Sequence, residues 1–205
     1  MPHALLRSGL DSLAADDFAP LKGKRIAVLA HEPSVDRQHR HLLDLLAARS
    51  DLTLVRVFAP EHGLFGAAQD QIPLTRNSSR EAVEVITLYG ERFESLWPAP
   101  EHFADIDLLV ADLQDVGARY YTYATTLTFV MQGAAQAGCP LLVLDRPNPL
   151  GGTELEGGLL DVERFRSFVG YWPLLARHGL TIGELAHFVN ATEKLGADLR
   201  VRKVE

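Results

Sequence analysis

The sequence predicts an α/β fold, a Rossmann-like three-layer sandwich with a mainly parallel sheet. Short apolar runs alternate with amphipathic stretches along most of the chain, the strand-helix-strand order that builds parallel sheets. Those runs are apolar on consecutive residues, as strands covered on both faces require. Each of the first five runs also ends in a polar cluster: His31/Glu32, Glu61/His62, Tyr89/Glu91/Arg92, Asp112/Gln114/Asp115 and Asp145/Arg146/Asn148. Open α/β sheets bind ligands outside the carboxyl ends of their strands, so a polar rim there marks a cleft.

Residues 10–18 read as a short helix and 25–30 as the first strand. Over 35–49, Leu42, Leu43, Leu45, Leu46 and Ala47 recur among polar residues, which predicts a helix packing one face on the sheet. Residues 52–58 form the second strand. Pro60 cannot donate to a ladder and stops it, and Gly63 and Gly66 permit tight turns, leaving Glu61 and His62 at the strand's carboxyl end. Residues 67–80 have no period and read as a loop over the strand ends, long enough for a lid. The third strand is 84–88 and the fourth 107–111. Residues 120–138 place Leu127, Val130, Met131, Ala134 and Ala135 at helical spacing and close on Gly138. The fifth strand is 141–144, followed by Gly151 to Gly158, read as a flexible turn. Thr181-Ile182-Gly183-Glu184 has capping-box spacing and opens a helix to about residue 195. Residues 199–204 supply a sixth strand. The order of strands in the sheet is not legible from this pattern.

With 205 residues the chain reads as one domain over residues 1–205. Its 47% hydrophobic and 23% charged content is that of an ordered globular protein. A formal net charge of -7 without a dense Lys/Arg run argues against nucleic acid as a partner. Cys139 is the single cysteine, which excludes an internal disulfide and a cysteine zinc cluster; before an apolar run it reads as a half-buried structural thiol. The first residues lack a signal peptide's apolar core and no stretch is long and apolar enough for a membrane span, so the expectation is a cytoplasmic protein without a membrane partner. Oligomeric state is not encoded in any pattern here.

The strand ends exclude several chemistries. His31-Glu32-Pro33-Ser34 carries no dinucleotide glycine fingerprint, and the P-loop lysine is missing. No Gly-x-Ser-x-Gly nucleophile elbow exists. His39 and His41 are two apart and diverge on a helix; a metal site from His31, His62 and a rim aspartate is the weaker alternative. Acid-base work by carboxylates is left. Glu61 serves as an acid if the cleft is dry enough to raise its pKa. Asp112, Asp115, Glu32 and Glu91 are the choices for a second carboxylate, a pair that glycosidic hydrolysis commonly needs. Tyr89 and Tyr121 offer hydroxyls and flat faces for sugar stacking, and Arg119, Arg146 and Arg177 can pair with an anionic substituent.

Taken in order, Phe58-Ala59-Pro60-Glu61-His62-Gly63, Leu88-Tyr89-Gly90, Asp112 to Tyr123 (DLQDVGARYYTY), Leu144-Asp145-Arg146-Pro147-Asn148-Pro149, Ser167-Phe168-Val169-Gly170 and His178-Gly179-Leu180-Thr181-Ile182-Gly183-Glu184 form a pattern that resembles the exo-acting β-N-acetylmuramidases of the NamZ type, once catalogued as a domain of unknown function. The resemblance runs from about residue 9 to residue 205. It implies a Rossmann-like catalytic domain that removes terminal N-acetylmuramic acid (MurNAc) from the non-reducing ends of peptidoglycan fragments; separately, no metal or cofactor is expected. The partner it implies is a MurNAc-containing saccharide or muropeptide. The glutamate of its Pro-Glu-His-Gly motif falls on Glu61, and its implicated tyrosine on Tyr89 or Tyr121. With the rim carboxylates, the catalytic candidates are then Glu61, Tyr89, Asp112 and Asp115. The substrate-binding candidates are His62, Arg119, Tyr121, Asp145, Arg146, Asn148 and His178. Two departures stand out: members of the family are typically longer, with a second domain that closes the cleft and that this chain does not contain, and residues 67–80 depart from the family pattern. A non-catalytic saccharide-binding domain is the competing expectation.

Overall fold

The computed structural model of the chain describes residues 6–60, 83–89 and 93–205. Among the described residues six strands form one sheet: β1 (Arg25–Ala30), β2 (Thr53–Ala59), β3 (Glu84–Thr87), β4 (Leu108–Asp112), β5 (Leu141–Leu144) and β6 (Leu199–Arg202). Every neighbouring pair is parallel and the order is β3-β2-β1-β4-β5-β6. This is the Rossmann arrangement, in which the direction of winding reverses between β1 and β4. The predicted fold class is therefore the observed one, and the strand order adds what periodicity does not contain.

Alternation along each strand assigns side chains to two core layers. On one face Ala27, Leu29, Phe58, Leu109, Ala111, Leu141 and Val143 pack under α3 (Tyr123–Gln136) and α5 (Ile182–Thr192). On the other, Ile26, Val28, Ala30, Val57, Val110 and Leu144 pack under α1 (Gly9–Ala15) and α2 (Leu42–Ala47). A four-residue helix, α4 (Val162–Phe165), lies in the connection after β5 and was not foreseen.

Four helices are shorter than the sequence suggests: α1 ends at Ala15 and α5 at Thr192, and for α2 and α3 a local cause is visible. The expected helix over 35–49 is confined to α2, because Asp36 folds the preceding residues into a turn. Its Oδ1 accepts from the backbone N–H groups of Gln38 and Arg40, both at 2.9 Å, and His39 sits in the left-handed region with φ 58°. An aspartate that captures nearby backbone donors competes with the helix for them. His41 then caps α2, its Nδ1 accepting from Leu43 N at 3.2 Å. The helix over 120–138 starts at Tyr123 because Tyr121 N bonds back to Ala118 O in a turn. By contrast the Thr181/Glu184 capping box is present at the start of α5.

The glycine-rich segment 151–158, expected to be a flexible turn, is held at its end: Glu156 and Arg177 exchange both backbone hydrogen bonds in an antiparallel bridge. Cys139 is fully rather than half buried, and burial pushes its thiol up to about 11, so it stays protonated and inert. Residues 61–82 and 90–92, which include Glu61, His62, the expected loop 67–80, Glu91 and Arg92, lie outside the described residues.

Candidate active site

The carboxyl ends of β1 and β4, the switch point at which open α/β sheets bind ligands, carry a set of buried polar side chains. His31 follows β1 directly. Its backbone N–H donates to Ser34 Oγ at 2.9 Å, and that hydroxyl donates to the backbone carbonyl of Asp112 at 2.6 Å, tying the loop after β1 to the end of β4. Arg146, two residues past β5, reaches across to Asp112 with a bidentate grip: Nε to Oδ1 at 2.5 Å and Nη2 to Oδ2 at 2.8 Å. Nη2 also donates to Val35 O at 3.0 Å. Asp112 is completely buried, which pushes its carboxyl above the usual carboxylate range against the pull of Arg146. Both residues are thus engaged with each other, and the pair links β4, β5 and the loop after β1.

Asp145 and Asn148 are held in similar fashion. Asp145 Oδ1 accepts from Gly183 N at 2.8 Å and Arg146 N at 3.0 Å, and Oδ2 accepts from the Thr181 hydroxyl at 3.0 Å. Burial raises its pKa in opposition to those donors. A Cβ on Gly183 would stand 2.8 Å from the Asp145 carboxyl carbon, so only glycine lets α5 start this close to β5. Asn148 donates to Leu180 O at 3.0 Å and accepts from Leu150 N at 2.9 Å. Its amide lies where a Cβ on Gly117, at φ +78°, would be. Arg119 Nη1 donates to the carbonyls of Gly158 and Leu174, and Arg177 to Leu150 O, so both brace the long connection after β5.

Among the described residues three buried side-chain atoms have no hydrogen-bond partner: Nε of Arg177, Oδ1 of Asp115 and Nδ1 of His31, of which the last two belong to residues close behind β4 and β1. Asp115 is 3% exposed. Its Oδ2 accepts from Gly117 N at 2.7 Å and faces His178 Nε2 at 3.4 Å. His178 Nδ1 accepts from Leu180 N, which puts the ring proton on Nε2, facing the carboxylate. Oδ1 of Asp115 is buried and unpaired. The His31 ring, 1% exposed, accepts from Gln114 N at 2.8 Å through Nε2, while its Nδ1 is buried and unpaired. Burial, reinforced by the charges of Arg146 and His41, lowers the His31 pKa to about 3, so the ring is neutral at physiological pH.

Aromatic rings flank the crevice. Tyr123 stands edge-to-face with His31 at 4.4 Å and Tyr121 with Tyr123 at 4.9 Å. Tyr89, just past β3, is 48% exposed and tilted against Phe168 at 5.9 Å. The two tyrosine candidates therefore lie on different parts of the rim, Tyr121 next to His31 through Tyr123 and Tyr89 at the β3 edge. Among the described residues no three His, Cys, Asp or Glu side chains converge as metal ligands. In the sequence His31 stands out as a strand-end residue and as a candidate metal ligand, but not as a substrate-binding residue. Its signal was its place directly after the first strand, which becomes informative only once β4 is known to be the neighbour.

Comparison with known proteins agrees with the fold. Residues 26–205 match the family described as "Exo-beta-N-acetylmuramidase NamZ, N-terminal". The chain is 40% identical over 202 residues to the peptidoglycan beta-N-acetylmuramidase NamZ of Bacillus subtilis (strain 168), a match covering 98% of this chain and 48% of that protein. Crystal structures of two DUF1343 family proteins from Bacteroides fragilis superpose with TM-scores of 0.86 and 0.79 at 35% and 31% identity. They are matched by 100% and 98% of this chain, over 51% and 52% of their own. The chain thus spans about half the length of the relatives it matches. On the match over residues 26–205, it belongs to the exo-β-N-acetylmuramidase NamZ family, to whose N-terminal part it corresponds.

Proposed function

We propose that this chain is the catalytic Rossmann-like domain, residues 1–205, of a glycoside hydrolase that releases terminal N-acetylmuramic acid from the non-reducing ends of peptidoglycan fragments. The observation that carries the reading is the 40% identity, over nearly the whole chain, to a protein named as a peptidoglycan β-N-acetylmuramidase. The crevice chemistry supports it. Glu61, two residues past the end of β2, acts as the general acid that protonates the leaving oxygen. Asp115 is the better second carboxylate, because its Oδ1 is buried without a partner whereas both oxygens of Asp112 are held by Arg146. Asp112 and Arg146 position the strand ends, and Tyr121 or Tyr89 supplies a hydroxyl and a stacking face. Arg119, Asp145, Asn148 and His178 shape the rim that receives the saccharide, and His62, next to Glu61 in the sequence, is a further substrate-binding candidate. A reducing, cytoplasmic setting, in which fragments are recycled, suits a chain whose single cysteine is a buried thiol.

The test is release of free N-acetylmuramic acid from a MurNAc-GlcNAc disaccharide by the full chain. The expected outcome is release that Glu61→Gln abolishes while binding persists. Binding without release by the unsubstituted protein would assign the saccharide-binding reading instead, and turnover undiminished in Glu61→Gln would remove Glu61 from the mechanism.

A further inference from the structure

The His31 ring has a fixed tautomer. Nε2 accepts from the backbone N–H of Gln114 at 2.8 Å, and a nitrogen that accepts carries no proton. In a neutral imidazole the proton is then on Nδ1, so the atom left without a partner is an N–H donor. A buried donor with no acceptor costs on the order of 1–3 kcal/mol, and native proteins keep few of them. This one lies directly after β1, beside β4, at the crevice where the winding of the sheet reverses and ligands of such folds bind.

We infer that His31 is a substrate-binding residue whose Nδ1–H donates to an uncharged acceptor oxygen of the bound amino sugar. The inference rests on the glycosidase reading proposed above and assigns that site a donor. The acceptor is uncharged because, among the described residues, the permanent cation that acts on the His31 ring is Arg146. Arg146, the guanidinium nearest in the network, is already neutralised by Asp112 through two hydrogen bonds. The ring itself is too deeply buried to take up a second proton. Asp115 Oδ1, the unpaired acceptor one residue beyond Gln114, complements this donor, since a sugar presents both carbonyl or ring oxygens and hydroxyl protons. His31 thus acts by orientation, with its proton retained throughout.

Two substitutions separate the ring's two nitrogens. His31→Gln keeps an acceptor where Nε2 stood, preserving the bond from Gln114, but removes the Nδ1 donor. His31→Asn places an amide donor near Nδ1 and gives up the Gln114 bond. Calorimetric binding of MurNAc-GlcNAc is compared in the full chain carrying Glu61→Gln, so that the ligand survives. The expected result is that His31→Gln melts like its parent yet binds about tenfold more weakly, the loss of one hydrogen bond. His31→Asn should melt lower yet bind within about threefold of the parent, since the donor survives. Unchanged affinity in His31→Gln overturns the inference. Should either variant fail to fold, the 15N spectrum of the unsubstituted ring decides. Added disaccharide shifts the Nδ1 resonance and leaves Nε2 in place if the inference holds, and bound disaccharide without a Nδ1 shift overturns it. A parent that binds no MurNAc saccharide at all overturns the functional reading and this inference together, and the parent's own calorimetry identifies that case.

Discussion

At the amino-terminal rim of the sheet, Arg25 meets Asp107 at 2.8 Å with both side chains about half exposed, and Arg49 bridges Asp17 and Asp51 at 2.7 and 2.6 Å. At the carboxyl-terminal rim, Asp112, Arg146, His31, Asp115 and His178 are each less than a tenth exposed. The first set is numerous, solvated and satisfied. The second is buried, and it leaves Nδ1 of His31 and Oδ1 of Asp115 without partners. Exposed pairs are screened by water and salt and contribute little, whereas a buried polar group without a partner is costly enough to call for a reason. Ion pairs drawn on a map of this protein would look alike at both ends, but burial separates a solubility feature from a site. The difference also divides the carboxylates of the β4 end. Asp112 and Asp115 are three residues apart, yet one organises the strands and the other keeps an oxygen free for a ligand.

The comparison breaks most readily at Arg146. Replacing it by Met leaves the Asp112 carboxylate buried and unpaired, which costs about 3–5 kcal/mol of stability in urea unfolding. Combining it with Asp112→Leu should recover most of that loss, because the charge and its partner leave together. A smaller loss for Arg146→Met than for a rim arginine would mean that burial does not separate the two ends.

Asp115→Asn sharpens the contrast within the carboxyl rim. It keeps the acceptor for Gly117 N and removes the free anionic oxygen, so kcat for MurNAc release should fall about a hundredfold or more. Its melting temperature should stay close to the parent's. Loss of stability in place of turnover would place Asp115 with Asp112.

Acid should weaken the carboxyl rim through His31. Its folded pKa, about 3, lies below the ordinary value of 6.5, so between those values the unfolded chain binds the extra proton. Stability is therefore fully present above pH 6.5 and falls as pH drops toward 3. The loss between pH 7 and pH 5 is about 2 kcal/mol. His31→Gln should remove that part of the slope in matched urea titrations at the two pH values, and an unchanged slope would show that the ring is free to charge when folded.

The smallest effect belongs to the amino rim. Arg25→Ala should shift the melting midpoint by no more than about 2 °C, and less in high salt. A large, salt-independent drop would make that rim as structural as the other.

Most of the layers could be read before folding. β1 and β5 match their apolar runs residue for residue, and the capping box at Thr181/Glu184 is in place, because local covering and capping depend on neighbours in sequence. The helix before β2 was overdrawn because Asp36 and His41 redirect backbone donors through side-chain geometry that periodicity does not carry. The arginines of the rim were legible as charges. That Arg146 belongs to Asp112, and Arg119 to the carbonyls of Gly158 and Leu174, depends on contacts 34 to 55 residues apart.

By itself the sequence determined a parallel α/β sandwich, a polar rim at its strand ends and the motifs that place the chain in its family. These follow from hydrophobic period, breakers and short-range spacing, all of which act within a few residues. The tertiary structure alone decided the strand order, and with it that the ends of β1 and β4 face one crevice. It also decided which buried polar atoms find partners and which do not. Satisfaction of a buried donor is a property of everything packed around it, and for His31 the decisive neighbour, Gln114, lies 83 residues away.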